Sequence, residues 1–315
     1  MSTLLNRLQT EHGGDYSRAI TPVIMEEETH TGGCMRVTPQ HNVYAKSIDR
    51  LIHSHGNNYQ LIKYEDIISR LSDSLDEHGV DLTDSSIHFY ITPTLSRMRL
   101  RVMFGDKTEF GSHTMQHNPN DRLQFGVEVI SSYDASIIFK LQAMFLRLIC
   151  ENGMKSFEKF NSSLKKHTTN FDVDRAFDKL KNLNESFNMM SNTFEIYQKT
   201  NISNREKNEL FKAFSRGSEG KVYLLNQALE KQDNLTLWDI YNAFTNYSEH
   251  NKRSISVGKR NKPKEIPKEY EIRQSNMDKI KSNEARSAEV QDFIHNNNLF
   301  IFYKGRGLSN QIHSS

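Results

Sequence analysis

Cysteine is nearly absent from this chain of 315 residues, which carries only Cys34 and Cys150. Two thiols so far apart build neither a disulfide framework nor a four-ligand zinc site. No run of about 18 apolar residues occurs, so the sequence offers no membrane-spanning helix. The opening stretch, MSTLLNRLQTEHGGDYSR, has no basic segment followed by an apolar one and does not read as a signal peptide. Walker A, GxGxxG, GxSxG, kinase and HExxH patterns are all missing. No cofactor, no metal and no catalytic residue is therefore expected. A bias of charge is missing too: 41 Lys and Arg against 39 Asp and Glu leave a net charge of +2. Bulk charge thus argues neither for nor against a polyanionic partner, and its distribution matters more. A reducing cytoplasm is the expected setting.

What is present is enough apolar material, 36% of residues, for a hydrophobic core with solvated linker to spare. Residues 1–56 show no long periodic pattern. Gly13-Gly14, Pro22, Gly32-Gly33 and Pro39 punctuate them, which predicts an irregular N-terminal arm with a short helix at Val43–His53. Ile67, Ile68, Leu71 and Leu75 recur at spacings of three and four, predicting a helix over Tyr64–Gly79 with Gly79 as its stop. From residue 86 the period changes to two. Ile87, Phe89 and Ile91, then Met98, Leu100, Val102 and Phe104, then Leu123, Phe125, Val127 and Val129 each share one face, the pattern of strands in an antiparallel sheet. Residues 105–121 read as a long loop, Ser132–Asp134 as a turn, and 137–150 as either helix or strand.

From 172 onward the pattern is helical. Val173 through Tyr197 predicts one long amphipathic helix, Ser203-Asn204-Arg205-Glu206 a capping box, and Thr236-Leu237-Trp238-Asp239 the start of a last helix anchored by the single tryptophan. Residues 251–268 hold seven Lys or Arg, one Glu and two Pro, a basic linker. A short polar helix is expected at 275–295, and Leu299, Phe300, Ile301, Phe302 and Tyr303 form an apolar cluster. The expected architecture is α+β: an antiparallel sheet packed with helices, then a helical segment, a basic linker and a short tail. The corresponding divisions are 1–56, 57–170, 171–250, 251–285 and 286–315.

The sharpest local pattern is Arg97, Arg99 and Arg101. Alternate residues of a strand share a face, so these guanidiniums stand about 7 Å apart, opposite Met98, Leu100 and Val102. Such a row repels itself unless anions lie against it. A polynucleotide backbone can supply them and would bind in a salt-dependent way. Lys140, Arg147, Lys165 and Lys166 can extend the basic groove, and His88 and Tyr90 lie beside it, where Tyr90 can stack on a base. The competing reading is internal: Asp66, Asp73 or Glu128 from neighbouring elements pair with the arginines. The histidines at 53, 55, 113 and 117 lack acidic partners at ligand spacing, and Asp134 and Glu151 lack the clustering a nuclease needs.

Several segments resemble the uncharacterised phage and plasmid family known as domain-of-unknown-function family 932. They are Asn58-Tyr59, Ser132-Tyr133-Asp134, Arg147-Leu148-Ile149-Cys150-Glu151-Asn152-Gly153, His167-Thr168 and Trp238-Asp239-Ile240-Tyr241-Asn242-Ala243-Phe244-Thr245, and the likeness covers about residues 58–250. Ala135 departs from it, since the family usually places Gly after the Ser-Tyr-Asp turn. The resemblance implies a mobile-element origin, a bacterial cytoplasm and genes that accompany replication and recombination, with no assigned activity.

Together these readings give two expectations. The first is a single-stranded DNA-binding or annealing protein of phage recombination or replication, using Arg97, Arg99 and Arg101 and self-associating through Leu299–Tyr303. The second is a protein-interaction factor that binds a host or phage protein through the helical region and the apolar tail.

Overall fold

Alternating apolar residues over 86–132 and helical spacing after 172 set the two structural themes of the chain. The computed structural model describes residues 3–20, 23–29, 39–45, 49–56, 58–114, 122–147, 152–155, 162–165, 172–229, 233–250, 284–298 and 300–305. In order these form α1 (Thr3–Glu11), α2 (Gly13–Ala19), β1 (Val23–Thr29), β2 (Pro39–Ala45), β3 (Arg50–His55), α3 (Tyr64–Glu77), β4 (Ser86–Ile91), β5 (Arg97–Met103), β6 (Ser112–Thr114), β7 (Arg122–Ser132), β8 (Phe139–Arg147), β9 (Asn152–Lys155), β10 (Ser162–Lys165), α4 (Val173–Phe177), a 3-10 turn (Asp178–Asn182), α5 (Leu183–Lys199), α6 (Asn204–Ser215), α7 (Glu219–Gln227) and α8 (Leu237–His250). Residues 284–296 and 300–305 are also helical. The class is α+β, as the sequence predicts.

The larger sheet runs β10-β8-β7-β5-β4, with β6 paired to β7 and β9 to β8. β4 with β5, β5 with β7 and β8 with β10 are antiparallel. The segment 137–150 resolves as strand over Phe139–Arg147. Nearly every residue of β8 is buried, and a strand covered on both faces loses the alternation that would identify it.

The chain divides into two compact units. The first comprises Met1–Ser112, Gln124–Met144 and Glu158–Asn184. Here the expected irregular arm is corrected: α1, α2 and a three-stranded sheet β1-β2-β3 occupy it. The helix expected at Val43–His53 is instead β2 and β3, paired antiparallel with an irregularity between Val43 and Tyr44. β3 is largely exposed, so it needs no apolar alternation, and its sequence shows none. α3 buries Ile67, Ile68, Leu71 and Leu75. It stops as expected: Gly79 takes φ 69°, the left-handed conformation for which glycine has no steric penalty.

The second unit comprises His113–Leu123, Phe145–Phe157 and Glu185–Ser315. Its core is aromatic. Phe194 lies 5.2 Å from Trp238, Tyr197 5.4 Å from Tyr241, and Phe214 4.9 Å from Phe244, ring centre to ring centre. Ser203 and Glu206 close the expected capping box at the start of α6. Asp239 accepts from the Thr236 N–H and hydroxyl at 2.7 Å, holding the entry to α8. The single long helix expected from Val173 is broken by the 3-10 turn Asp178–Asn182. Neither Gly nor Pro marks the break, and Asn182 and Asn184 flank it with low helix propensity. The tail packs on its own chain: Phe300 meets Tyr197 at 5.6 Å, and the Tyr303 hydroxyl donates to Glu209 at 3.4 Å. Of the expected linker 251–285, residues 251–283 lie outside the described residues and the last two open the helix 284–296, which overlaps the polar helix expected at 275–295.

Ala135 stands at φ 51°. A side chain there strains the turn by ~1–2 kcal/mol, against the ~0.4–1 kcal/mol that glycine adds to unfolded-chain entropy. The Ala135→Gly variant should therefore be more stable by up to ~1 kcal/mol, read as a raised urea midpoint at unchanged slope.

Candidate functional site

β5 places Arg97, Arg99 and Arg101 on one face, and Met98, Leu100 and Val102, all fully buried, on the other. That much of the ladder is as expected. Its exposure is not. Arg97 is 8% exposed and the side chains of Arg99 and Arg101 are each 12% exposed.

Of the two readings of the row, internal pairing is the one seen in the fold: carboxylates of neighbouring segments face all three guanidiniums. Register sets Arg101 opposite Glu128 of β7, and the Arg101 Nε donates to Glu128 Oε1 at 2.7 Å. Arg99 Nε lies 3.0 Å from the same oxygen, within ion-pair range from the diagonal position. The Gln142 amide donates to Glu128 Oε2 at 2.8 Å, and the carboxylate has no solvent exposure. Arg97 is held separately: its guanidinium donates to Asp134 at 3.0 Å and to the Ser136 hydroxyl at 2.8 Å. Of the counter-charges anticipated, Glu128 is the one used. Asp134 was considered for catalysis and instead neutralises Arg97, while Asp66 and Asp73 sit on α3 in the wall of a shallow pocket with Arg70 and Asp174.

The remaining site residues are scattered. His88 and Tyr90 do stand beside Arg101 and Arg99 in the register. His88 is exposed and Tyr90 half-buried. Burial raises the Tyr90 phenol to about 12, so it stays protonated. Lys140 is half-buried on β8, and Lys165 ends β10 opposite Phe139. Lys166, Leu299, Cys34, Cys150, His117 and Glu151 lie outside the described residues. Arg147 belongs to the second unit, where it is buried and its guanidinium lies 5.8 Å from the Trp238 ring centre.

A second constellation surrounds the turn at 133–136, and sequence spacing gives no hint of it. The Tyr133 carbonyl accepts from His55 Nε2 at 2.7 Å and from the Tyr59 hydroxyl at 3.2 Å. His55 and Tyr59 stack with ring centres 3.5 Å apart and planes 2° apart. The Tyr133 hydroxyl accepts from the Tyr64 N–H at 2.9 Å, and their rings stack at 3.8 Å. Asp134 also accepts from the Ser136 N–H and hydroxyl. The segments Asn58-Tyr59 and Ser132-Tyr133-Asp134, far apart in the chain, thus meet here, as Arg147 and Trp238 meet in the second unit. Both junctions hold backbone segments together.

Among the described residues no group of three His, Cys, Asp or Glu side chains is placed to hold a metal ion, and no helix is long and apolar enough to cross a membrane. In comparison with known families, a domain of unknown function (DUF932) matches residues 52–289. No curated protein and no solved structure matches the chain.

Glu128 without its charge leaves two guanidiniums facing each other in a buried layer. Breaking such a cluster from one side destabilises by ~3–5 kcal/mol. Glu128→Gln should lower stability by that amount in urea unfolding. Asp134→Asn, at a pair whose carboxylate is 15% exposed, should lower it by less.

Proposed function

The chain belongs to the DUF932 family, whose description assigns no activity, and from that premise we propose that it is a protein-interaction factor. It engages its partner through the helical second unit and the apolar tail. The observation that supports this reading is the division within residues 300–303. Phe300 and Tyr303 are 1% and 4% exposed, whereas Ile301 and Phe302 are 48% and 64% exposed. Isolated apolar side chains on a surface are ordinary. Two adjacent large ones on a backbone anchored at both flanking positions are a preorganised contact, with little ordering left to oppose binding. Covering the exposed remainder of both would contribute roughly 2–3 kcal/mol, about one to two decades of affinity.

Binding of single-stranded nucleic acid is the competing proposal. The arginine row supports it no longer, because Glu128 and Asp134 already face those guanidiniums. The tail also loses part of its expected role as a subunit clasp, since Phe300 and Tyr303 are occupied by their own chain.

Full-length protein should capture a partner from nuclease-treated bacterial lysate. An Ile301→Ser/Phe302→Ser variant of unchanged thermal stability should lose that capture at least tenfold. Fluorescence anisotropy with single-stranded and duplex oligonucleotides should stay flat at low salt. Oligonucleotide binding that weakens as salt rises, or capture that ignores the double substitution, would overturn the proposal.

A further inference from the structure

The three-stranded sheet of the first unit carries an unusual face. In the β2–β3 register His41 stands opposite His55, and Val43 opposite His53. Paired residues and those two apart share a face, so His41, His53 and His55 lie together. The rings of His53 and His55 are 4.7 Å apart, edge to face. His55 is 9% exposed, His41 half-buried and His53 exposed.

His55 is also a fastener. A carbonyl only accepts, so the 2.7 Å contact to the Tyr133 oxygen fixes the proton on Nε2, and the ring is sandwiched flat against Tyr59. Through this one side chain β3 is joined to the turn that follows β7. An added proton must go to Nδ1 and place a full charge in a buried ring.

The groups around that ring do little to receive the charge. His41 faces it from β2 and His53 from its own strand, and the field of each disfavours charge on His55. Tyr59 and Tyr133 are neutral, and burial raises both phenols. Among the described residues the carboxylate whose field reaches His55 is that of Asp134, and it is bound to Arg97. On β1, Glu27 stands opposite His41 in the backbone register. Burial is the largest influence on His55 and holds its imidazole below the ordinary histidine value of 6.5.

We propose that His41, His53 and His55 form an acid-labile latch: at mildly acidic pH the β2–β3 hairpin releases from the Tyr133 turn while the larger sheet stays closed. The sign follows from linkage. The open form binds the proton more readily than the closed form. The latch therefore holds fully above about pH 6.5 and weakens as pH falls toward the depressed folded value. Each histidine that charges only in the open form raises the opening constant up to about tenfold per pH unit. This inference is independent of the tail and its partner.

Hydrogen exchange of the full chain, corrected for intrinsic rates, tests it at pH 7.5 and 5.5. Peptides covering β2 and β3 should lose protection about tenfold at the lower pH, while β5 keeps its own. His55→Gln retains an N–H donor for the Tyr133 carbonyl and cannot charge, so its hairpin should stay protected at both values. Equal protection at both pH values in the wild type, a parallel loss in β5, or an unchanged loss in His55→Gln would overturn the latch. If His55→Gln is already open at pH 7.5, the His41→Gln/His53→Gln variant decides. Its opening must move to lower pH, and opening at the wild-type pH refutes the proposal.

Discussion

A carboxylate with no access to water, gripped by two guanidiniums and an amide, is the constraint on which the first unit depends. Removing Glu128, Arg99 and Arg101 from water costs several kcal/mol per ion. The attraction between them offsets that only because the geometry is close: 2.7 Å and 3.0 Å to one oxygen, with Gln142 satisfying the other. The gain is in specification as much as in stability. Glu128 lies between Val127 and Val129 on β7, and a slip of one residue would turn its charge into the apolar layer. That layer holds Leu100, Val102, Val127 and Val129, all fully buried. The ion cluster and the apolar face therefore select the same register, each from its own side of the sheet.

This arrangement explains what the sequence could and could not disclose. Period-two alternation over 86–132 was legible because those strands carry a large apolar residue at every second position. α3 was legible to its last turn because its stripe and its glycine stop agree. The capping box at Ser203 and Glu206 carried its own signature. β3 was hidden because its exposed positions carry no pattern, and the break before α5 because no Gly or Pro marks it. The arginine row was legible as a row. Its neutralisation was not, since Glu128 stands 27 residues from Arg101 in sequence and only strand pairing brings them together. A one-dimensional reading can name the candidate counter-charge but cannot rank it above a solvent or polymer anion.

The second unit solves a different problem. Its core is built on rings: Phe194, Tyr197 and Tyr241 meet in tilted contacts, Trp238 stacks on Tyr241, and Phe244 meets Phe214 and Phe300. An aromatic core of this kind buries a large area per residue, and among the described residues of 300–305 Phe300 and Tyr303 are the buried side chains held against it. Anchoring by two leaves the two between them outward. The exposed pair is thus a geometric consequence of a one-turn dock, and its apolar character is the part that geometry does not require. Polar residues at 301 and 302 would have served the dock equally well.

The turn at 133–136 connects these themes to the family resemblance. Tyr133 offers one carbonyl to two donors, His55 and Tyr59, while its hydroxyl serves the first N–H of α3. Asp134 gathers Arg97 and Ser136. Four residues therefore tie the N-terminal sheet, the start of α3 and the edge of β5 to one point. Ala135 adopts a left-handed conformation there, one that glycine takes without a steric penalty. Motif residues brought together in this way are accounted for by architecture. Burial raises the phenols of Tyr133 and Tyr59, and Asp134 is paired with the Arg97 guanidinium. What makes the motif recognisable in sequence is the demand of a crowded junction. A search for chemistry in this family is better directed at surfaces that such junctions leave uncommitted than at the motif itself.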